Sequence, residues 1–439
     1  MNIKSLNRKL NKKFAGRVTA RLSDGCIVLT GELDDWNDVV DAGMTAATPH
    51  SSTHVVNDIV FTGAAEEKMH MPAINDKALD GEKPDVLVIG GGISGCSVAR
   101  ELSRYKLSVL LIDKEADLAL GASGRNDGEV HPGVDLSKGS LKHKYIRRAN
   151  HMYEDLCREL DVPFKRTGQY ACFTHKSWLP FVSLYAKWRR DHDGIEDTCI
   201  VMGDEIRKKE PSISADVAFA LSNPSSGSVS PYNLVIAYAE NAVQNGARVS
   251  LNTAVTGMDV SGGEIKAVYT NRGTIYPREV INCAGVYSDV VAQMAQDRFF
   301  SIHPRRGTNS ILDKKTGASF HGIASIVMSQ SPVKTHTKGG GILHTMHDNL
   351  LIGPDAVETP ERENTATNAE SIARVFTKQR ITMPTLTEKD IITYFTGVRA
   401  PTYEEDFIIE PGRKTKNIYH VAGIQSPGLT TAPAVAQDV

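Results

Sequence analysis

The sequence predicts an α/β protein: a doubly wound, Rossmann-like nucleotide-binding domain interleaved with a largely antiparallel α+β domain, preceded by a small α/β module. Three observations carry this. The segment from Asp85 to Asp113 reads as strand, glycine turn, helix, strand and acid. β-rich runs at Ser301–Leu312, Ile323–Met328 and Leu343–Ile352 interrupt that alternation. Residues 1–63 carry a strand–helix–strand pattern of their own.

In chain order, Ile3, Leu6, Leu10 and Phe14 share one face of a basic lead that has no acid through residue 23. The pattern runs on into an apparent domain, so it reads as a first helix packing on the rest of that domain, not as a presequence or membrane-surface helix. Gly25–Leu33 reads as a strand, Asp34–Ala47 as a helix opened by a capping Asp, and Thr53–Gly63 as a returning strand. With its VVNDI segment this order resembles the BON domain, a lipid- or ligand-associated module, which implies a docking or assembly role for residues 1–63. Residues 64–83, rich in Ala, Glu and Lys with one Pro, read as a linker.

Val86–Ile89 is short, β-branched and ends in glycine, as a buried parallel strand does. Gly90, Gly92 and Gly95 stand in G-x-G-x-x-G spacing, with a helix over Ile93–Tyr105 and a second strand over Leu107–Ile112. Gly90 allows the tight turn, Gly92 lets backbone amides approach a pyrophosphate, and Gly95 lets the helix pack on the strand. The helix N-terminus faces the phosphates with its positive end. Asp113 is placed to accept hydrogen bonds from a ribose diol. The complete context implies an adenine dinucleotide.

Beyond it, GASGRNDGEVHPGVD (Gly121–Asp135) is too glycine-rich for a regular element. Helical period returns over Leu141–Leu160, Ser177–His192 and Pro231–Asn245, with a strand at Thr167–Thr174. Val249–Ile281 reads as strands turning at Gly262-Gly263 and Asn271–Gly273, Glu361–Gln379 as a polar helix, and Phe407–Ile409 and Asn417–Gly423 as strands. Residues 84–165, 231–297 and 399–439 are thereby assigned to the nucleotide-binding domain, and 166–230 and 298–398 to the second domain. The last helix, Thr431–Val439, is expected to continue into a C-terminal part that this sequence lacks.

At 439 residues the chain exceeds one ordinary domain, and 41% hydrophobic with 23% charged residues fit a soluble globular protein. A net charge of -2 argues against nucleic acid as a partner. No apolar run reaches membrane-spanning length and no apolar signal core is visible, so a cytoplasmic location is expected, with peripheral attachment to the inner face of the membrane left open. Six scattered cysteines with no C-x-x-C read as reduced thiols. His303, His336, His344 and His347 do not repeat at ligand spacing, so no metal site is expected.

Four segments form a set: VIGGGISG with Asp113, GASGRNDGEVHPG, INCAGVYSD, and NIYHVAGIQSPGLTTAPAVA. In this order and spacing they resemble the D-amino-acid-oxidase-like (DAO) superfamily of FAD-dependent oxidoreductases. RRGTN and GVRAPTYEEDFIIEP favour the branch of glycerol-3-phosphate dehydrogenases and oxidases and L-2-hydroxyglutarate oxidases. The resemblance implies FAD as cofactor, bound by Gly90, Gly92, Ile93, Ser94, Gly95, Asp113 and Lys114. It implies that Ser123, Gly124, Arg125 and Asn126 contact the phosphates and flavin edge, and Ala284 and Gly285 the adenosine half. Gly423, Gln425, Ser426, Gly428 and Leu429 would approach the flavin at a helix that Thr430 or Thr431 can cap. His131 would act as catalytic base, and Arg399 would hold a small anionic substrate with Arg306 and Ser426; for the Arg305-Arg306 pair a solvated surface role stands equally open.

The reaction so implied is oxidation of a secondary alcohol beside an anionic group, with hydride passing to flavin N5. Electrons would go on to oxygen, a quinone or an electron-acceptor subunit; homo-oligomerisation is compatible with the sequence. Two rivals remain open: oxidation of an amine or amino acid, and a non-catalytic flavin-bearing subunit that recruits a partner. The cysteine-rich tail frequent in anaerobic glycerophosphate dehydrogenases is lacking here, which leaves the acceptor undetermined.

Overall fold

The computed structural model describes residues 2–65, 67–195, 197–327 and 340–439; Met328 and His336 lie outside them. Val86–Ile89 and Val109–Ile112 are buried at every residue, which is why their sequences are unbroken apolar runs. They are central in a six-stranded sheet of order Arg248–Ser250, Val109–Ile112, Val86–Ile89, Glu279–Asn282, Ile418–Ala422, Ile408–Pro411. All pairings are parallel except the last. The helices Ile93–Leu102, Pro231–Gln244 and Gly428–Asp438 contribute to one hydrophobic core against this sheet. A second core is shared with the meander Val255–Ser261, Glu264–Thr270, Gly273–Ile275.

The nine-stranded sheet is largely antiparallel. Arg305–Leu312 pairs along its length with Ile391–Arg399 and on its other edge with Leu350–Gly353 and Val357–Glu358. Gly341–His344, Ile323–Ile326, Gln169–Phe173, Phe219–Asn223 and Cys199–Met202 then continue the sheet. One pairing, Ile323–Ile326 with Gln169–Phe173, is parallel.

Several elements differ from expectation. Helical period over Leu141–Leu160 resolves into two helices, Leu141–Asn150 and Tyr153–Glu159. The polar helix begins at Ala369, not Glu361, because Asn368 Oδ1 accepts from Ser371 N at 2.8 Å, while Arg362 turns inward onto Asp289. Leu343–Ile352 is crossed by a turn with Asp348 at φ 63°. Neither Thr430 nor Thr431 caps the final helix: it starts at Gly428, and Thr431 Oγ1 donates to Pro427 O at 3.2 Å from inside it.

The N-terminal module runs helix Ile3–Lys13, strands Val18–Ser23 and Cys26–Leu33, helix Trp36–Ala46, strand Val55–Phe61. Leu6, Leu10 and Phe14 are buried, as packing of that helix requires. Val18–Ser23 escapes sequence reading because its alternation breaks at Leu22, which is exposed. Asp24 and Gly25, at φ 50° and 74°, form the two-residue turn that returns it as an antiparallel hairpin. Tyr403 from the far end of the chain completes the module's core. Its hydroxyl accepts from Asn57 Nδ2 at 2.8 Å, and Glu404 Oε1 accepts from Val55 N at 2.8 Å. The stretch read as a linker is pinned to the body by Asp76 on Arg272 and Glu82 on Arg248. Among the described residues no helix is long and apolar enough to cross a membrane.

Tyr403→Phe removes the Asn57 contact and should cost about 1 kcal/mol. Tyr403→Ala opens a cavity between module and body and should cost about 3–5 kcal/mol. Urea unfolding measures both, and equal losses in the two variants would refute the packing role of the ring.

Candidate active site

A cavity of ≈ 860 Å³ runs from the glycine turn to the junction of the two large sheets. At its first end Gly90 sits at φ 111°, a conformation that favours glycine. A Cβ at 90 would strike the Cys283 carbonyl, and one at 95 the Gly90 carbonyl, so strand, turn and helix can approach only with glycine at both positions. Asp113 Oδ2 accepts from Gly91 N at 2.5 Å and Oδ1 from Glu115 N at 2.7 Å, which fixes the carboxylate at the strand end. Burial pushes its pKa up, and the two amide donors oppose that shift.

Gly90, Gly92, Ile93, Ser94, Asp113 and Lys114 line this end, as do Ala284 and Gly285. Gly95 is set back in the helix–strand contact. Ser123 Oγ accepts from Ile93 N at 2.9 Å, so it caps the helix whose N-terminus faces the cavity. Lys114 Nζ lies 2.7 Å from Glu363 and also pairs with Glu115. Met69 and His70 from the supposed linker line the same end, and nothing in their composition signals it.

In the middle, Ser123, Arg125 and Asn126 line the cavity, while Gly124 packs against Ala119 outside the lining. Asn126 closes its own loop: Nδ2 donates to Ser123 O at 2.6 Å and Oδ1 accepts from Gly128 N at 2.9 Å. Gln425, Ser426, Gly428 and Leu429 line the opposite wall; Gly423, at φ 68°, does not.

The far end gathers His131, Ser426, Asp127, Glu129, Gln169 and Arg399. His131 Nδ1 lies 3.3 Å from Glu129 Oε1, and its Nε2 lies 3.2 Å from Ser426 Oγ. Glu129 is buried and itself held by Gln169 Nε2 at 2.7 Å. Burial first, and Glu129 second, raise the pKa of Asp127. Arg399 ends its strand with Nη2 donating to Asp355 O at 2.7 Å. Burial and the neighbouring Arg305 lower its pKa to about 10, so it remains a cation at neutral pH. A Cβ at Gly307 on the paired strand would occupy the place of the Arg399 guanidinium.

The structure does not bring Arg306 into the cavity. Side chains alternate along a strand, so Arg305 turns inward and Arg306 outward, where its guanidinium donates to Ala366 O. Arg305 is 1% exposed and lies beneath the site, 2.5 Å from Glu358 and 2.9 Å from Glu405. Sequence reading missed Asp127 and Glu129. Their signal was the alternation of 127, 129 and 131 across the short strand Glu129–Val130. Among the described residues no group of three His, Cys, Asp or Glu side chains is arranged to hold a metal ion.

Residues 85–439 match the family model "FAD dependent oxidoreductase", DAO. A glycerol 3-phosphate dehydrogenase of Caloramator mitchellensis is 37% identical over 353 residues, covering 80% of this chain and 72% of that one. An L-2-hydroxyglutarate dehydrogenase of Indibacter alkaliphilus is 27% identical, covering 81% and 97%. The solved L-alpha-glycerophosphate oxidase of Mycoplasma pneumoniae, dithionite-reduced with FAD bound, superposes with TM-score 0.74 at 26% identity over 81% of this chain and 94% of that one. The matched region begins at residue 85, so the N-terminal module lies outside it. The Gly90–Gly95 cradle, the half-buried Asp113 and a cavity lined onward from it to His131 and Arg399 fit an FAD. The chain belongs to the DAO family of FAD-dependent oxidoreductases, and FAD is its cofactor.

Proposed function

We propose that this protein oxidises a secondary alcohol next to an anionic group, with glycerol 3-phosphate or a 2-hydroxy acid as the substrate class. The observation that carries this reading is the sharing of one cavity by His131, backed by Glu129, and the cationic Arg399. The named relatives support it, since glycerol 3-phosphate and L-2-hydroxyglutarate each present a hydroxyl and an anion.

Bound FAD supplies a two-electron acceptor at its N5, from which electrons pass to oxygen, a quinone or a partner protein. The residues do the rest. The Glu129 carboxylate can only accept, so it keeps the proton of His131 on Nδ1 and leaves the Nε2 lone pair toward the cavity. Ser426 Oγ then donates to Nε2, marking the place of a substrate hydroxyl. His131 takes the hydroxyl proton as the carbon-bound hydrogen leaves. Arg399 offers its guanidinium fork to the carboxylate or phosphate, and Gly307 keeps the space for it. The helix Gly428–Asp438 turns its N-terminal residues to the cavity, where its dipole favours negative charge. We read the N-terminal module, with its BON-like segments, as an assembly module with one face already committed to the body.

Anaerobic bleaching of the flavin band against glycerol 3-phosphate, 2-hydroxyglutarate, lactate and amino acids tests the reaction class; reduction by amino acids alone would overturn it. His131→Ala should slow flavin reduction by roughly 10²–10⁴-fold with FAD retained, and unaltered reduction removes it as the base. Arg399→Ala should raise KM by roughly tenfold or more. Gly307→Ala should raise KM in the same direction, by displacing the guanidinium. An unchanged KM in both variants counts against the anion seat.

A further inference from the structure

The helix Leu179–Asp193 covers the nine-stranded sheet at its Cys199–Met202 edge. Its inner face is fixed by buried Val182 and Ala186, and by Arg189, which pairs with Asp193 and donates to Leu136 O at 2.7 Å. The outward side is not polar. Phe181 is 68% exposed and Leu184 69%, with Trp178, Tyr185 and Trp188 exposed beside them. Phe181, Leu184 and Trp188 stand at i, i+3 and i+7, one stripe of the helix. Two of the chain's three tryptophans, Trp178 and Trp188, are on this side. Monomeric surfaces scatter such residues singly; five together mark a contact surface.

The surroundings of the stripe identify the partner. Lys138 Nζ sits 5.7 Å from the Trp188 ring centroid. At Gly194, where the helix ends, a cleft opens that is lined by His143, Lys144, Arg147, Arg148 and His151. Among the described residues its carboxylate neighbours include Asp438, on Lys144 and Arg148, Asp193, near His143, and Glu154, which pairs with Arg166 and interacts with His151. Among these described residues basic groups still outnumber acids, in a chain whose net charge is -2. Along the helix Lys187 and Arg190 accompany the one outward acid, Asp191. An exposed aromatic stripe bordered by Lys and Arg has the composition of an interfacial helix.

We propose that the helix Leu179–Asp193, together with the basic cleft at its C-terminal end, docks this protein on an anionic phospholipid bilayer. Phe181, Leu184 and Trp188 enter the headgroup–acyl boundary, and Lys138, Arg147 and His151 meet the lipid phosphates. The inference stands apart from the substrate reading and does not depend on it.

The test is co-sedimentation of the full-length holoenzyme with vesicles of phosphatidylglycerol and phosphatidylcholine, against phosphatidylcholine alone. Binding to the anionic vesicles only, weakened by salt, is the expected result. Phe181→Ser/Leu184→Ser should lower the vesicle partition at least about tenfold with flavin reduction by soluble substrate unchanged. Arg147→Glu should lower it while leaving the apolar stripe intact. Sedimentation without lipid is run in parallel. Binding to neither vesicle, or equal binding to both, overturns the proposal. So does a dimer that dissociates in the Phe181/Leu184 variant, because a second copy would then be the occupant.

Discussion

The structure depends on one close approach: the helix Ile93–Leu102 lies so near the strand before it that the Gly90 carbonyl fills the place of a side chain at 95. Gly90 in turn rests against the backbone at Cys283, the end of the neighbouring strand. Two absent side chains thus bring three strand ends and a helix N-terminus to one point. The cavity begins there, bordered by the bare backbone of the glycine turn. Buried, unbroken apolar strands supply the stability that such bare backbone does not.

The opposite end of the cavity is built by charge rather than by its absence. Arg305 is buried between Glu358 and Glu405, and both carboxylates stay below their ordinary pKa, the cost of burial being more than offset by Arg305 together with His303 and Lys142. Glu405 accepts from Gln425 Nε2 at 2.6 Å, and Glu358 lies 2.9 Å from His303, whose ring stacks on Tyr403. A buried ion network of this kind adds little net stability but fixes geometry. Here it holds the floor on which Arg399 and the Gln425–Ser426 turn rest.

The nucleotide end was legible in the sequence because its constraints are local: glycine spacing, a helix directly after it and an acid at the next strand end are neighbours in the chain. His131 and Arg399 were legible only through resemblance, since each is an ordinary residue until a distant segment meets it. Arg306 was misplaced because one residue of strand phase decides which of two adjacent arginines faces inward. Glu129 was passed over because its meaning lies in His131 two residues on, and in Gln169 from another sheet. Val18–Ser23 was passed over because exposed Leu22 spoils its alternation. Residues from Glu361 stay outside the helix that Asn368 caps because Arg362 turns inward onto Asp289, a tertiary contact that no local pattern announces.

The module at the chain's beginning has Tyr403 in its core and Glu404 on its Val55 amide. Synthesis is vectorial, and domains ordinarily fold as they emerge. This one cannot complete its interior until Tyr403 has left the ribosome. Its apolar strands must wait, through the making of the nine-stranded sheet, for that ring. A segment made before either large sheet is thereby finished only after strands of both.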